Sequence, residues 1–117
     1  MIWINAAKRF LAAYAAKDLK FLDENYADDI IWQEQDWITE GKPEVLGVNH
    51  AFFNSNESIS IRIQNSCYKD KYVSVESILL FFPRNTKFSD TRSPVNIVHI
   101  IKFNSFGKIQ SVKVYRR

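Results

Sequence analysis

Cysteine, glycine and proline are all scarce in this sequence of 117 residues, which contains one Cys, three Gly and three Pro. The lone thiol, Cys67, excludes an intramolecular disulfide and a thiolate cluster for zinc or iron–sulfur chemistry. We therefore expect a cytoplasmic protein, without metal or cofactor. Because 46% of the residues are hydrophobic, the composition also excludes a disordered chain and predicts one compact domain over residues 1–117.

Long apolar runs are missing as well. No apolar segment approaches the roughly 20 residues that are needed to cross a bilayer, so we expect no membrane partner. The start of the chain, Met1–Ile4, is apolar, but Lys8 and Arg9 follow it, whereas a secretory signal carries its basic residues first. The sequence therefore predicts no secretory signal.

The net charge of +3 conceals an uneven distribution of acidic and basic residues. Residues 1–57 carry five Lys and Arg against ten Asp and Glu, and residues 58–117 carry eleven against three. A basic half can bind polyphosphate by releasing counterions, whereas scattered lysines on solvent-facing strands keep a sheet soluble. The basic residues here are spread singly and are not interleaved with aromatics. We therefore expect no nucleic acid partner.

The first half of the chain has the apolar spacing of helices. Apolar residues recur at intervals of three and four, which predicts a first helix over residues 3–16. Asp18 is a suitable N-cap for a short second helix that carries Tyr26 on its buried side, and Pro43 suits the first turn of a third helix. Between the second and third helices we predict one short strand, at Ile30–Glu34.

From Ser58 onward the apolar period changes to two, which is typical of half-buried strands. We predict a four-stranded antiparallel meander that follows the helices, an α+β arrangement. The polar segment Pro83–Pro94 is predicted to be a long hairpin loop. A turn is predicted at Asn104–Gly107, where glycine adopts a positive φ most easily.

The second long strand of this meander has an irregular apolar pattern. Its apolar phase shifts along the strand, which predicts a bulge near Glu76 and Ser77. The segment Ile78–Phe82 is apolar on both faces, so its second face also requires cover. A dimer partner is the simplest cover, and we predict that it also buries Val98 and Ile100.

Four segments, in this order and spacing, resemble the SnoaL-like branch of the nuclear transport factor 2-like superfamily, whose best-known enzyme is ketosteroid isomerase. They are Ala15–Leu19, Tyr26–Trp32, Gly41 before the third helix, and Phe103–Ile109. The resemblance implies a cone-shaped, cystatin-like α+β barrel, in which three helices pack on a strongly curved antiparallel sheet around an apolar cavity. It also implies a homodimer that forms through the convex face of the sheet.

The resemblance places three catalytic positions of the isomerase on this chain. The isomerase's oxyanion tyrosine falls at Phe10, which has no hydroxyl to donate. Its general-base aspartate falls at Glu34, so a carboxylate is kept on a longer side chain. Its protonated aspartate falls at His99, another titratable group. The carboxylate base is thus kept, the protonated aspartate is replaced by a histidine, and the tyrosine hydroxyl is lost.

Strand alternation points to the same positions without the family. On the strand Val95–Phe103, His99 is the only titratable residue on an otherwise apolar face, and Glu34 ends the apolar stripe of the first strand. If both faces line one cavity, the two groups can act as general acid and base, with Tyr14 as a hydroxyl donor. The apolar residues that we expect to contact a small apolar ligand are Phe10, Trp32, Ile97 and Ile101.

Each of these candidates has a structural alternative. His99 can be a core histidine with both nitrogens bonded, Glu34 can be solvated at a strand end, and Tyr14 can simply pack. Glu76 is a further candidate for a pocket carboxylate. Three functions stay open: an isomerase, dehydratase or cyclase; a non-catalytic ligand-binding protein; and a dimeric interaction domain whose cavity is filled by its own side chains.

Overall fold

The computed structural model describes residues 2–84 and 94–116, which form three helices and six strands. Helices precede most of the strands, and the predicted α+β class is confirmed. The helices are α1 (Ile2–Ala15), α2 (Leu19–Asn25) and α3 (Lys42–Ser55). The strands are β1 (Tyr26–Glu34), β2 (Trp37–Glu40), β3 (Asn56–Lys69), β4 (Tyr72–Pro83), β5 (Val95–Phe103) and β6 (Ile109–Arg116).

All six strands belong to one curved sheet with the order β2-β1-β6-β5-β4-β3. The strands β3 to β6 form the predicted antiparallel meander, while β1 lies parallel to β6. The prediction of a single strand between α2 and α3 is wrong, because Trp37–Glu40 folds back and pairs with β1. Four residues that are mostly exposed give too little alternation to be recognised in the sequence.

The helix ends follow the expected local chemistry, with one exception. The Asp18 carboxylate accepts a hydrogen bond of 3.1 Å from the Phe21 amide and caps α2. Gly41 has a φ of 90° at the entrance to α3, where a glycine is favoured. The exception is Tyr26, which is not on α2 but is the first residue of β1, with extended backbone angles. Aromatic residues favour strands, which accounts for the early end of the helix.

The bulge predicted in β4 lies instead in the neighbouring strand. The pairing steps from Ile63 opposite Ser77 to Asn65 opposite Glu76, so the extra residue is Gln64 of β3. Inward and outward side chains alternate along β4 without interruption, because the small Ser77 occupies an inward position at 2% exposure. Glu76 consequently lies on the outer face, opposite Val98 of β5, so it does not line the space enclosed by the helices.

The core lies between the helices and the inner face of the sheet. Inward residues of β5 and β6 alternate with outward ones, as the period-two pattern predicts. The turn at Asn104–Gly107 is confirmed, and Gly107 has a φ of 79°. The predicted loop Pro83–Pro94 lies largely outside the described residues. Among the helices of the described ranges, none is long and apolar enough to cross a membrane.

Candidate functional site

A chamber of about 170 Å³ lies between α1, α3 and the inner face of the sheet. Its size is close to that of an apolar cavity of roughly 150 Å³ that binds benzene in another protein. It is smaller than the roughly 300–1,000 Å³ pockets that hold drug-sized ligands. Aromatic and aliphatic side chains form most of its wall. The polar and charged side chains among the chamber-lining residues, apart from two tryptophans, are Tyr14, Glu34, Asn49, His99 and Arg116.

Glu34 and His99 both line this chamber. Glu34 is the last residue of β1, His99 lies in the middle of β5, and β6 runs between the two strands. Val114 of β6 pairs with His99, and the preceding residue, Lys113, pairs with Gln33, which precedes Glu34. Two strand spacings separate the two backbones, a distance of about 10 Å. Both side chains therefore border the same space.

The Glu34 carboxyl group is half-buried at the mouth of the chamber. Burial raises its pKa above the ordinary value of 4.5, and the positive charge of Arg116 opposes this increase. Arg116 was missed in the sequence analysis. The alternation of β6 could have identified it, because Val112, Val114 and Arg116 lie on one face of that strand.

His99 is almost completely buried, with 4% of its surface exposed. Burial lowers its pKa to about 4, so the imidazole is neutral near pH 7. Its Nδ1 atom has no hydrogen-bond partner within residues 2–84 and 94–116. The alternative of a core histidine with both nitrogens bonded by protein groups therefore does not describe this residue.

Tyr14 lines the chamber from α1 and belongs to a layer of aromatic rings. Its ring stacks on Trp32 with 5.8 Å between the centroids and on Phe52 with 6.1 Å, and it meets Phe53 edge-on at 4.9 Å. Burial, followed by the charge of Glu34, raises the pKa of the Tyr14 hydroxyl. The hydroxyl therefore keeps its proton and can donate a hydrogen bond.

Two of the expected ligand contacts, Phe10 and Ile101, are not among the residues that line the chamber. Phe10 is 1% exposed, and its centroid lies 6.2–6.3 Å from those of Tyr14, Tyr26 and Trp32, so it packs behind the wall. Ile101 is fully buried two residues beyond His99, outside the chamber. Trp32 and Ile97 do line it.

Asn49 of α3 is a second residue that was missed in the sequence analysis. It is fully buried and lines the chamber. The Tyr26 hydroxyl donates a hydrogen bond of 2.6 Å to its Oδ1, while its Nδ2 has no partner in the described part of the chain. An asparagine one helical turn from Val45, on the buried side of α3, was the available signal.

A second, more polar pocket of about 210 Å³ adjoins the chamber. The turn residues Gln35 and Asp36 line only this outer pocket. Four residues line both spaces, namely Glu34, Trp37, Val114 and Arg116. The carboxylate and the guanidinium group therefore lie at the boundary between an apolar chamber and a polar vestibule.

The described residues contain no group of three or more His, Cys, Asp or Glu side chains that could hold a metal ion. His50, the other histidine, is exposed on α3, and its Nε2 lies 3.3 Å from the Asn54 side chain. The titratable groups that line the chamber are thus Tyr14, Glu34, His99 and Arg116.

A helix layer and a curved sheet enclose a small chamber in this domain. A comparison with models of protein families identifies a family. Residues 7–112 match the model of the SnoaL-like domain. This chain therefore belongs to the SnoaL-like domain family. The comparison with curated proteins gave no match.

Solved structures share the whole fold at low sequence identity. A protein from Shewanella denitrificans, predicted to be a SnoaL-like polyketide cyclase, has a TM-score of 0.87 at 12% identity, over 99% of this chain and 90% of that one. An LEH-like epoxide hydrolase from M. tuberculosis has a TM-score of 0.83 at 15% identity, over 98% and 82%. A protein from Catenulispora acidiphila with a ketosteroid isomerase-like fold, in complex with trimethylamine, has a TM-score of 0.81 at 14% identity, over 94% of this chain and 83% of that one.

Proposed function

We propose that this SnoaL-like domain binds a small, mostly apolar molecule in the chamber and transfers a proton on it by general acid–base catalysis. The observation that carries the proposal is that Glu34, His99 and Tyr14 all line one chamber. The reaction is of the isomerase, dehydratase or cyclase type, since these need proton transfer and no nucleophile from the protein.

The protonation states of the three groups suit these roles. Glu34 has a raised pKa, which makes its carboxylate a stronger base than an exposed one. His99 is neutral near pH 7, so it donates from one ring nitrogen and accepts at the other. The Tyr14 hydroxyl stays protonated and can stabilise negative charge on a ligand oxygen.

Two of the solved structures with this fold are an enzyme and a ligand complex, which agrees with a pocket function but indicates no substrate. The M. tuberculosis structure is that of an epoxide hydrolase, and the C. acidiphila structure contains a bound small molecule, trimethylamine. At identities of 14–15%, these structures show only that the fold is shared. The same fold supports different reactions. We therefore base the choice of acid–base chemistry on the residues of this chamber.

The second candidate function is ligand binding without catalysis. Phe10 favours it, because this residue stands where the isomerase resemblance implies a hydroxyl donor and lies outside the chamber. Both candidates use the same chamber and differ only in whether the carboxylate removes a proton. An assay of proton transfer can therefore distinguish the two candidates, whereas an assay of binding cannot.

Ligand binding is tested with a substitution that reduces the volume of the chamber. Ile61 of β3 lines the chamber, so Ile61→Phe should fill part of it and abolish binding of benzene-sized molecules in ligand-detected NMR. Ile63→Phe is the matched control, because Ile63 is half-buried on the same strand but does not line the chamber. Equal binding by both variants would contradict the proposal.

Catalysis is tested by exchange of carbon-bound hydrogen. We expect the protein to accelerate the incorporation of deuterium from D₂O next to the carbonyl group of small ketones, as followed by NMR. Glu34→Gln should remove the acceleration and leave binding intact, whereas Glu57→Gln, on an exposed carboxylate, should change neither. Binding without any exchange would favour the non-catalytic candidate.

A further inference from the structure

We propose that a groove on the outer face of the sheet binds a fatty acid, with the carboxylate between Lys102 and Lys113 and the alkyl chain on Ile31 and Ile38. The groove has a volume of about 710 Å³ and is lined mainly by residues of β1, β2, β4, β5 and β6. It shares no lining residue with the chamber or with the polar vestibule. The inference therefore does not depend on the proposed function.

The register of the strands places several of the lining residues in one row across the sheet. Ile31 of β1 is opposite Ser111 of β6, and Ser111 is opposite Lys102 of β5. Lys102 is in turn opposite Tyr72 of β4. Ser111 has the smallest of these side chains, so the row is lowest near its centre. Because neighbouring strands lie about 4.8 Å apart, about 10 Å separate the backbones of Ile31 and Lys102.

Two lysines form the basic end of the groove. Lys113 lies two residues beyond Ser111 on β6, on the same face as Lys102 of the adjacent strand. In the described part of the chain, neither lysine has an ion pair with a carboxylate, since both ion pairs found there involve Lys42. Like charges that face each other on adjacent strands destabilise a sheet. A carboxylate between the two ammonium groups offsets this repulsion.

The ammonium group of Lys102 is also oriented by an aromatic ring. Its Nζ lies 5.5 Å from the centroid of the Tyr72 ring, a cation–π contact. Tyr72 is 47% exposed and lines the same groove. The contact therefore holds one of the two positive charges beside the groove before a ligand arrives.

Glu40 is too distant to neutralise these lysines. It is the one carboxylate among the described residues that line the groove, and it lies opposite Ile31 on the far side, in β2. Three strand spacings, about 14 Å, separate its backbone from that of Lys102. Exposed charges at that separation are largely screened at ordinary ionic strength. The basic end therefore stays open to an external anion.

The opposite end of the groove is apolar. Ile31 is 39% and Ile38 is 58% exposed, on the adjacent strands β1 and β2. An alkyl chain that covers these two side chains removes apolar surface from water, which is favourable. The groove thus has a basic end and an apolar end, about two strand spacings apart, and this arrangement fits an amphiphilic anion.

The lining residues favour a carboxylate over a phosphate. Phosphate groups are commonly held by backbone N–H groups at helix N-termini or nests and by arginine side chains. The floor of this groove is the paired sheet, and no arginine is among the described residues that line it. Two lysines suit a head group with a single charge. The ligand class is therefore a fatty acid.

The groove is distinct from the part of the outer face that we expect at a dimer contact. Ile100 is opposite Lys113 and so lies at the border of the groove. Neither Val98 nor Ile100 lines it. The ligand and a second copy would therefore use neighbouring parts of this face.

The test compares three probes with the same eight-carbon chain: octanoate, 1-octanol and octyltrimethylammonium. Binding to the ¹⁵N-labelled protein is followed by NMR. We expect octanoate to bind about five- to tenfold more tightly than 1-octanol, the effect of two exposed charge contacts. The cation should bind more weakly than 1-octanol. Octanoate should shift the amide resonances of Ser111 and Lys102, and NaCl at about 1 M should remove its preference.

Variants assign this preference to the groove. The double variant Lys102→Gln with Lys113→Gln should bind 1-octanol as the wild type does and lose the preference for octanoate. Lys8→Gln with Lys20→Gln is the matched control, because it removes the same charge from exposed lysines of α1 and α2 that do not line the groove. Ile38→Ser, at an exposed position, should weaken the binding of both probes.

The Ile61→Phe variant separates this inference from the proposed function. It fills part of the chamber, so it should bind octanoate as the wild type does; loss of octanoate binding would place the probe in the chamber and overturn the inference. Equal affinity of the wild type for octanoate and 1-octanol would also overturn it, as would a preference that survives in the double lysine variant. Failure of benzene-sized molecules to bind the wild type would contradict the proposed function and leave this inference intact.

Discussion

Glu34 and His99 line one chamber from strands on either side of β6, and burial shifts their pKa values in opposite directions. Burial raises the pKa of Glu34 above 4.5 and lowers that of His99 to about 4. In water the histidine would take up a proton first, near its ordinary pKa of 6.5. Burial in the chamber penalises the charged form of each group, so it favours the neutral imidazole and opposes ionisation of the carboxyl group. Glu34 is therefore the base of this pair and His99 its neutral partner.

The first prediction concerns stability between pH 6.5 and 4. The unfolded chain protonates His99 near pH 6.5, whereas the folded protein does not until about pH 4. The unfolded state therefore binds more protons in this window. As the pH is lowered from 6.5 to 4, the free energy of unfolding should decrease by about 3 kcal/mol. Urea denaturation at pH 7 and pH 4.5 should show this loss in Glu34→Gln and much less of it in the double variant Glu34→Gln with His99→Leu.

The Glu34 carboxyl group acts in the opposite sense and serves as the control. Its raised pKa contributes stability that is present at low pH and is lost as the pH rises through the folded pKa. The comparison is therefore made in the Glu34→Gln background, where this effect is absent. The Tyr14 hydroxyl, whose pKa is raised by burial, stays protonated over this range. Parallel pH profiles with and without His99 would contradict the assignment.

The second prediction is that Arg116→Gln raises the pKa of Glu34 further. Arg116 is the charge that lowers this pKa against the larger effect of burial, so its removal leaves burial unopposed. The pKa is measured from the ¹³C chemical shift of the Glu34 carboxyl carbon as a function of pH. Lys113→Gln is the control, since Lys113 lies on the same strand with an exposed side chain that does not line the chamber. An unchanged pKa in Arg116→Gln would show that the guanidinium group is not close enough to act.

The third prediction is that Phe10→Tyr does not create a catalytic donor but destabilises the fold. Phe10 is 1% exposed and packs among three aromatic rings outside the chamber. A hydroxyl at this place loses its hydration without a partner, at a cost of about 1–3 kcal/mol. Chemical denaturation should show this cost, and it should be much smaller for Phe52→Tyr, a half-buried residue that lines the chamber. Faster deuterium exchange in Phe10→Tyr would prove the prediction wrong.

The alternation of side chains along the strands was enough to predict the inward positions of Glu34 and His99, because period-two patterns assign faces directly. It could not assign Ser77, which interrupts the apolar pattern and was interpreted as part of a bulge although its small side chain fits inside. Asn49 and Arg116 depend on contacts between elements that are distant in sequence, namely the Tyr26 hydroxyl and the Glu34 carboxylate. One sequence does not specify such contacts, so the chamber's polar lining was predicted only in part.

The last prediction is a homodimer formed through the outer face of the sheet. Ile78 and Leu80 of β4 are half-buried on this face, as are Val98 and Ile100 of the adjacent strand β5. Contiguous apolar side chains on a sheet face are typical of an interface between copies. We expect light scattering at micromolar concentration to give the dimer mass for the wild type and the monomer mass for Ile100→Lys, because burying a charged group in an apolar interface is costly.

Ala12→Lys is the control for this prediction. Ala12 is exposed on α1, on the opposite side of the sheet, so this variant adds the same charge without touching the proposed interface and should remain dimeric. A wild-type protein that is monomeric at micromolar concentration would contradict the prediction. In that case the apolar side chains on the outer face of β4 and β5 would require another explanation, because their partial exposure costs free energy that only cover by a second surface recovers.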